Sequence, residues 1–212
     1  MSIVTISRGC YSRGQEVAEK VAERMSYKCI SRDMLLETSK EFNIPEIKLY
    51  KAMNDAPTFF ERIGSRKELY ITFIQYALLR EFVKDNVVYH GLAGHIFAKG
   101  LKNSLKVRIN SDWQDRVQLE MQREGISREK AMKLLKKEDL ERKRWSQGLY
   151  GIDPNQPEHY DLVIHIKHLS PTDAADIICH TLSLDCFKTT PESQKELEDR
   201  VDMYRRFVGN IK

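Results

Sequence analysis

Cysteine is scarce in this 212-residue chain: Cys10, Cys29, Cys179 and Cys186 form no close CxxC pair, which argues against a disulfide framework and a structural zinc site. No stretch approaches the roughly 18 consecutive apolar residues that cross a bilayer. Nor does an apolar signal stretch precede the first strand-like run, so a protein of the reducing cytoplasm without membrane contact is expected. An excess of one charge is also lacking. The 35 Lys plus Arg stand against 31 Asp plus Glu, a formal charge of +4, too mild for a nucleic-acid binder unless the cations cluster. There is no internal repeat and no low-complexity tract, and the length suits one substantial core with appendages.

What is present begins at once. Ile3-Val4-Thr5-Ile6 reads as a buried strand, Gly9 and Gly14 follow with four residues between them, and Val17, Ala18, Val21, Ala22 and Met25 recur at helical spacing. A glycine loop ending on a helix N-terminus presents backbone N–H groups and the positive end of the helix dipole, which favours a bound phosphate. The full phosphate-loop pattern would continue with lysine and a hydroxyl residue, and here Gln15 and Glu16 occupy those places. The plainer alternative is a glycine turn between strand and helix. Glu16 reads either as a first-turn carboxylate favoured by the dipole or as a magnesium ligand, and the metal ligands stay unassigned.

Further strands are expected at Tyr27 to Ile30, Val87 to His90, Leu105 to Ile109 and Asp161 to Ile166. Helices are expected from Met34 to Phe42, in part of Asn43 to Pro57, and from Arg66 to Lys84, whose stripe of Phe73, Ile74, Ala77, Leu78 and Phe82 reads as core. Ser111 with Gln114 has the spacing of a capping box for a helix closed by Gly125, and Ser127 caps a basic helix to about Trp145. A Gly/Pro/Asn-rich loop from Gly148 to Pro157 follows, and Ser170-Pro171 and Thr190-Pro191 start two more helices. Short buried strands alternating with helices predict a parallel sheet covered on both faces, with ligands at the carboxyl ends of the strands.

In this order the residues resemble the cytidylate kinase-like branch of the P-loop nucleoside monophosphate kinases. The anchors are Thr5-Ile6-Ser7-Arg8 leading to Ser12-Arg13-Gly14-Gln15-Glu16, then Ser31-Arg32-Asp33, Gly91-Leu92-Ala93-Gly94, Arg123-Glu124-Gly125, Asp139-Leu140-Glu141-Arg142, Gly151-Ile152-Asp153 and Tyr160-Asp161-Leu162-Val163. The resemblance implies an α/β, P-loop NTP hydrolase-like three-layer fold with a five-stranded parallel sheet flanked by helices, spanning residues 1–184. It also implies an NMP-binding helical insertion at 33–84 and a lid at 127–150, and it leaves 185–212 as a C-terminal helical extension. The implied activity is transfer of the γ-phosphoryl of ATP, with Mg2+, to a CMP-like nucleotide or another small acceptor. Two expected cations are missing: the lysine after Gly14, which typical active cytidylate kinases keep and many members of this branch lack, and the arginine that the branch usually has where Leu92 stands; Arg8 or Arg13 is placed to compensate.

The residues expected to carry this chemistry are Arg8, Gly9, Ser12, Arg13, Gly14, Gln15 and Glu16 for ATP, and Arg32, Asp33, Gly91, Gly94 and His95 for the acceptor. Arg13, Arg116, Arg142 and Arg144 are the candidate catalytic cations, with Asp139 orienting Arg142 from three residues before it on one helix face. Each has a plainer reading: Arg32 and Asp33 as a helix start, His90 and His95 as satisfied structural histidines, the basic stretch as solvated helix face, Trp113 and Trp145 as packing. A catalytically weak or inactive nucleotide-binding regulatory module is the alternative function. Binding of nucleic acid or a protein partner through the basic helix is the weakest, and a homodimer is among the assemblies left open.

Overall fold

A computed structural model of the chain describes residues 2–9, 12–31, 33–34, 67–91 and 93–209. The expected helices at 34–42 and 43–57, and most of the expected insertion at 33–84 that contains them, lie outside the described residues. Five parallel strands form one sheet in the order β2-β3-β1-β4-β5: β1 Ile3–Arg8, β2 Lys28–Ser31, β3 Val87–His90, β4 Ser104–Ser111 and β5 Leu162–Ile166. The helices are α1 Gly14–Met25, α2 Lys67–Phe82, α3 Gly94–Phe97, α4 Trp113–Glu124, α5 Arg128–Tyr150, α6 Pro171–Leu182 and α7 Pro191–Gly209.

Strand alternation builds two apolar layers. Val4, Ile6, Val88, Val107, Ile109, Ile164 and Ile166 face α1 and α6, where Val17, Val21, Ala174 and Ile178 close the packing. Ile3, Ile30, Val87 and Tyr89 face the other side, covered by Phe73, Leu78 and Phe82 of α2, Phe97 of α3, and Leu197 and Val208 of α7. Strands buried on both faces are what a parallel sheet requires. A third, smaller cluster of Val117, Ala131 and Leu135 joins α4 to α5 beyond the edge of the sheet.

Ser127 caps α5 by accepting from the Lys130 amide, and Ser170 and Asp173 complete a reciprocal capping box on α6. Two expectations need correction. The cap of α4 is Asp112, whose carboxylate accepts from the Gln114 amide at 2.8 Å and from Lys167 Nζ at 2.9 Å, and Ser111 is instead the last residue of β4. Helix α5 runs past Gly148 to Tyr150 and ends at Gly151. There Tyr150 packs edge-on against both Phe97 and Trp145 at 5.4 Å, and that burial outweighs the roughly 1 kcal/mol cost of a helical glycine.

The C-terminal helix packs on its own domain: Leu197 is fully buried, and Gln194 Nε2 donates to the Val83 carbonyl at 3.0 Å. Truncation by Leu197→Ala is expected to cost about 2–5 kcal/mol, read as a lower midpoint in urea unfolding followed by circular dichroism. A change under 0.5 kcal/mol, the scale of surface substitutions, would mean that α7 is not part of the core.

Candidate active site

The loop joining β1 to α1 is built by close approach. Ser12 Oγ donates to the Gly9 carbonyl at 3.0 Å, and a Cβ on Gly14 would lie 2.8 Å from Cβ and Cδ of Arg8, so only glycine lets that side chain cross the helix start. Arg13 caps α1 in the left-handed region, φ 59°, which costs an L-residue roughly 1–2 kcal/mol. Its Nε and Nη2 both donate to Glu16 Oε2, at 2.9 and 2.8 Å, and Gln15 Nε2 donates to Glu19 Oε1 at 2.9 Å. These exposed contacts run along α1 itself.

At the carboxyl edge of β1, β4 and β5 lies a cleft of ≈ 390 Å3. Gly9 and Ser12 form one wall, Arg108, Asn110 and Ser111 of β4 another, and Arg116, Asp139, Arg142 and Lys143 reach in from α4 and α5, with Asn155 and His165 completing it. Four Arg or Lys side chains thus face one lining carboxylate, an arrangement that attracts anions. Arg116 Nη2 donates to Asp139 Oδ2 at 2.7 Å, and its guanidinium carbon lies 5.4 Å from the centre of the Trp113 ring and 3.7 Å from where a Gly9 Cβ would be. Asp139 therefore ties α5 to α4 through Arg116.

A second chain of contacts fixes the opposite wall. Lys143 pairs with Asp153 at 2.7 Å, Asp153 Oδ1 accepts from the Asn155 amide at 3.0 Å, and Asn155 Oδ1 accepts from Arg108 Nη2 at 2.6 Å. The pairing with Lys143 holds the Asp153 carboxyl below its ordinary range.

Beneath the cleft, Tyr160 is a buried polar hub. Its hydroxyl donates to the Pro154 carbonyl at 2.8 Å, with Ser7 Oγ at 3.2 Å and Arg108 Nη1 and His95 Nε2 each at 3.5 Å. One phenolic proton cannot serve two acceptors, so with it directed at Pro154 the oxygen is free to accept from Arg108. Burial, aided by the positive charge of His159, Arg108 and Lys106, pushes the His95 imidazole down to about 3, leaving it neutral as one buried member of this network.

The sequence-expected residues separate into groups. Gly9, Ser12, Arg116, Asp139 and Arg142 meet in the central cleft. Arg13 lines a neighbouring cleft of ≈ 360 Å3 with Ser111, Asp115, Leu119, Lys167 and Leu169, and joins Arg8, Gln15 and Glu16 in another of ≈ 310 Å3. Arg144 is exposed. Asp33 accepts from Ser31 Oγ at 2.8 Å near the end of β2, while Arg32 and Leu92 lie outside the described residues. A Cβ on Gly91 or Gly94 would meet the Tyr89 ring, at 2.5 Å from its hydroxyl or 2.6 Å from Cδ1, so packing alone demands both glycines.

Sequence reasoning passed over Arg108, Asn110, Ser111, Lys143 and Asn155. Arg108 had a readable signal: a cation inside a strand run whose neighbours Val107 and Ile109 are apolar, where a central parallel strand should be apolar on both faces.

Because His95 is held neutral when folded but takes up a proton near 6.5 when unfolded, stability that is complete above pH 6.5 is lost as pH falls from there toward about 3. The stability advantage of wild type over His95→Gln is expected to shrink below pH 6.5 by up to about 1.4 kcal/mol per pH unit. Urea unfolding at stepped pH reads this, and parallel profiles would contradict it.

Comparison with known proteins agrees with this architecture. Residues 3–168 match the model of the cytidylate kinase-like family. The cytidylate kinase of Sulfolobus acidocaldarius is 28% identical over 169 residues, covering 79% of this chain and 86% of the relative, and that of Pyrococcus horikoshii is 28% identical over 183 residues, covering 83% and 85%. An uncharacterized protein from Eubacterium ventriosum shares the fold with a TM-score of 0.66 at 20% identity, over 86% of this chain and 98% of that one. With a parallel sheet in the order β2-β3-β1-β4-β5 and a match over most of its length, the chain belongs to the cytidylate kinase-like family.

Proposed function

We propose that the protein is a phosphotransferase that moves the γ-phosphoryl of ATP to CMP or a related small phosphate acceptor. The observation that carries this reading is the central cleft, where the loop at Gly9 and Ser12 faces Arg116, Arg142 and Lys143. In phosphoryl transfer an acceptor oxygen bonds to the γ-phosphorus as the bond to the β-phosphate oxygen breaks, so catalysis rests on alignment and on neutralising spread negative charge. Cytidylate kinases among the relatives support CMP as the first acceptor to try.

In this reading Arg8, Gly9, Ser12, Arg13, Gly14, Gln15 and Glu16 form the donor side, and the partly apolar cleft beside Arg13 offers Leu119 and Leu169 to an adenine ring. Arg32, Asp33, Gly91, Gly94 and His95 belong to the acceptor side. Arg116, Arg142 and Arg144 supply charge, and Asp139, three residues before Arg142, orients that guanidinium while it pairs with Arg116. Among the described residues no group of three His, Cys, Asp or Glu side chains could hold a metal. Mg2+ would therefore take most of its oxygens from the triphosphate and water, with Ser12, Asn110, Ser111 and Asp139 as the protein oxygens at hand. When bound, the ion neutralises phosphate charge.

A nucleotide-binding regulatory module of the same fold is the second reading, favoured by Gln15 and Glu16, which engage their own helix where a lysine would reach a phosphate. The two separate in one experiment: Mg-ATP with CMP, dCMP, UMP, AMP or GMP, reading ADP and nucleoside diphosphate, beside calorimetric ATP titration. Transfer to one acceptor supports the kinase, and saturable binding without transfer supports the module. For the kinase, Arg142→Gln is expected to lower kcat by about 10^2–10^3, and an unchanged kcat would remove Arg142 from the catalytic set.

A further inference from the structure

The geometry points to Arg108 of β4 as the cation that clamps the donor's terminal phosphates, taking from the strand the role that a lysine after Gly14 would take from the loop. This rests on the phosphotransferase reading above only for the identity of the ligand. The anion site itself stands on the following observations.

Arg108 is 7% exposed and pairs in register with Ser7, two residues before Gly9. Its strand neighbours Val107 and Ile109 belong to the apolar layer under α1 and α6, so its side chain leaves the opposite face of the sheet, toward Tyr160. There it meets neutral groups: Asn155 Oδ1 at 2.6 Å, the Tyr160 hydroxyl at 3.5 Å, and the Tyr160 ring at 5.7 Å from its centre. Among the described residues no carboxylate lies within ion-pair distance of it. A buried charge without a counter-charge is costly, and proteins pair such charges or use them on ligands.

The guanidinium is also aimed. Asn155 is fixed by Asp153, and Asp153 by Lys143, so a relay of three residues sets the angle of the fork. The two bonds to Asn155 and Tyr160 occupy two of five N–H groups, leaving a planar array suited to two oxygens of one phosphate. Arg108 lines the same cleft as Gly9 and Ser12. The side chains of Arg13 and Gln15, nearest in sequence to the missing lysine, are bonded along α1 instead. Lysine's place on the phosphate is thus reached from the adjacent strand.

The test compares wild type with Arg108→Gln and Arg108→Lys, titrating inorganic tripolyphosphate, a non-hydrolysable ATP analogue and CMP by calorimetry, with thermal unfolding in anion-free buffer. Arg108→Gln is expected to weaken tripolyphosphate and analogue binding by at least about tenfold, the scale of a lost charged hydrogen bond, with CMP affinity held within about threefold of wild type. Tm without anion should not fall, because an uncompensated charge has been removed, whereas an arginine serving only structure would lower it. Unchanged tripolyphosphate affinity, or a loss confined to CMP, overturns the assignment. If Arg108→Gln does not fold, Arg108→Lys decides: a charge without the fork should bind tripolyphosphate more weakly than wild type, and equal binding overturns it. A wild type that transfers phosphate to no acceptor, yet binds tripolyphosphate through Arg108, refutes the kinase reading and leaves this site standing. An active kinase indifferent to Arg108 does the reverse.

Discussion

Parallel pairing of β1 with β4 is the constraint on which the candidate site depends, because it fixes Ser7 opposite Arg108 and brings Gly9 to the level of Asn110 and Ser111. Side chains alternate faces along a strand, so a slip of one residue would turn Arg108 into the apolar layer and Val107 toward Tyr160. Burial of Val107 and Ile109 under α1 and α6 penalises that slip heavily. The register of the cleft is therefore enforced by hydrophobic packing on the face that carries no chemistry.

Around this frame charge is distributed unevenly. The whole chain carries only +4, yet the cleft gathers Arg108, Arg116, Arg142 and Lys143 from one strand and two helices. Two relays hold these groups apart against their mutual repulsion: Arg116 by Asp139 and the Trp113 ring, and Lys143 with Arg108 through Asp153 and Asn155. Both relays include residues of α5 or the loop after it, so the position of that helix and the electrostatics of the cleft are one property.

The sheet and the first loop were legible in the sequence because their signals are local: an apolar run before Gly9, helical spacing after Gly14, and side-chain caps at Ser127 and Ser170. What escaped was decided at a distance. Asp112 outcompetes Ser111 as a cap because Lys167, far along the chain, adds a charged partner. Helix α5 outruns its glycine because Tyr150 finds Phe97. Arg108 looked like one more charge in a basic chain, since a linear sequence does not show that, among the described residues, no acidic side chain lies within ion-pair distance of it. Of the expected site residues, Gly9, Ser12, Arg116, Asp139 and Arg142 line the central cleft, and Gly91 and Gly94 pack closely on the Tyr89 ring.

The packing of α7 against α2 carries a consequence for biosynthesis. Leu197 and Val208 follow every other core residue of their layer in the chain, so during translation the sheet can be covered by α1 and α6 on one face while Phe73, Leu78 and Phe82 still lack their outer cover. Until those last residues emerge, a nascent chain displays a half-finished apolar surface of the kind that chaperones hold. The order of elements along the chain thus lets the layer under α1 and α6 close before the layer under α2 and α7 is complete.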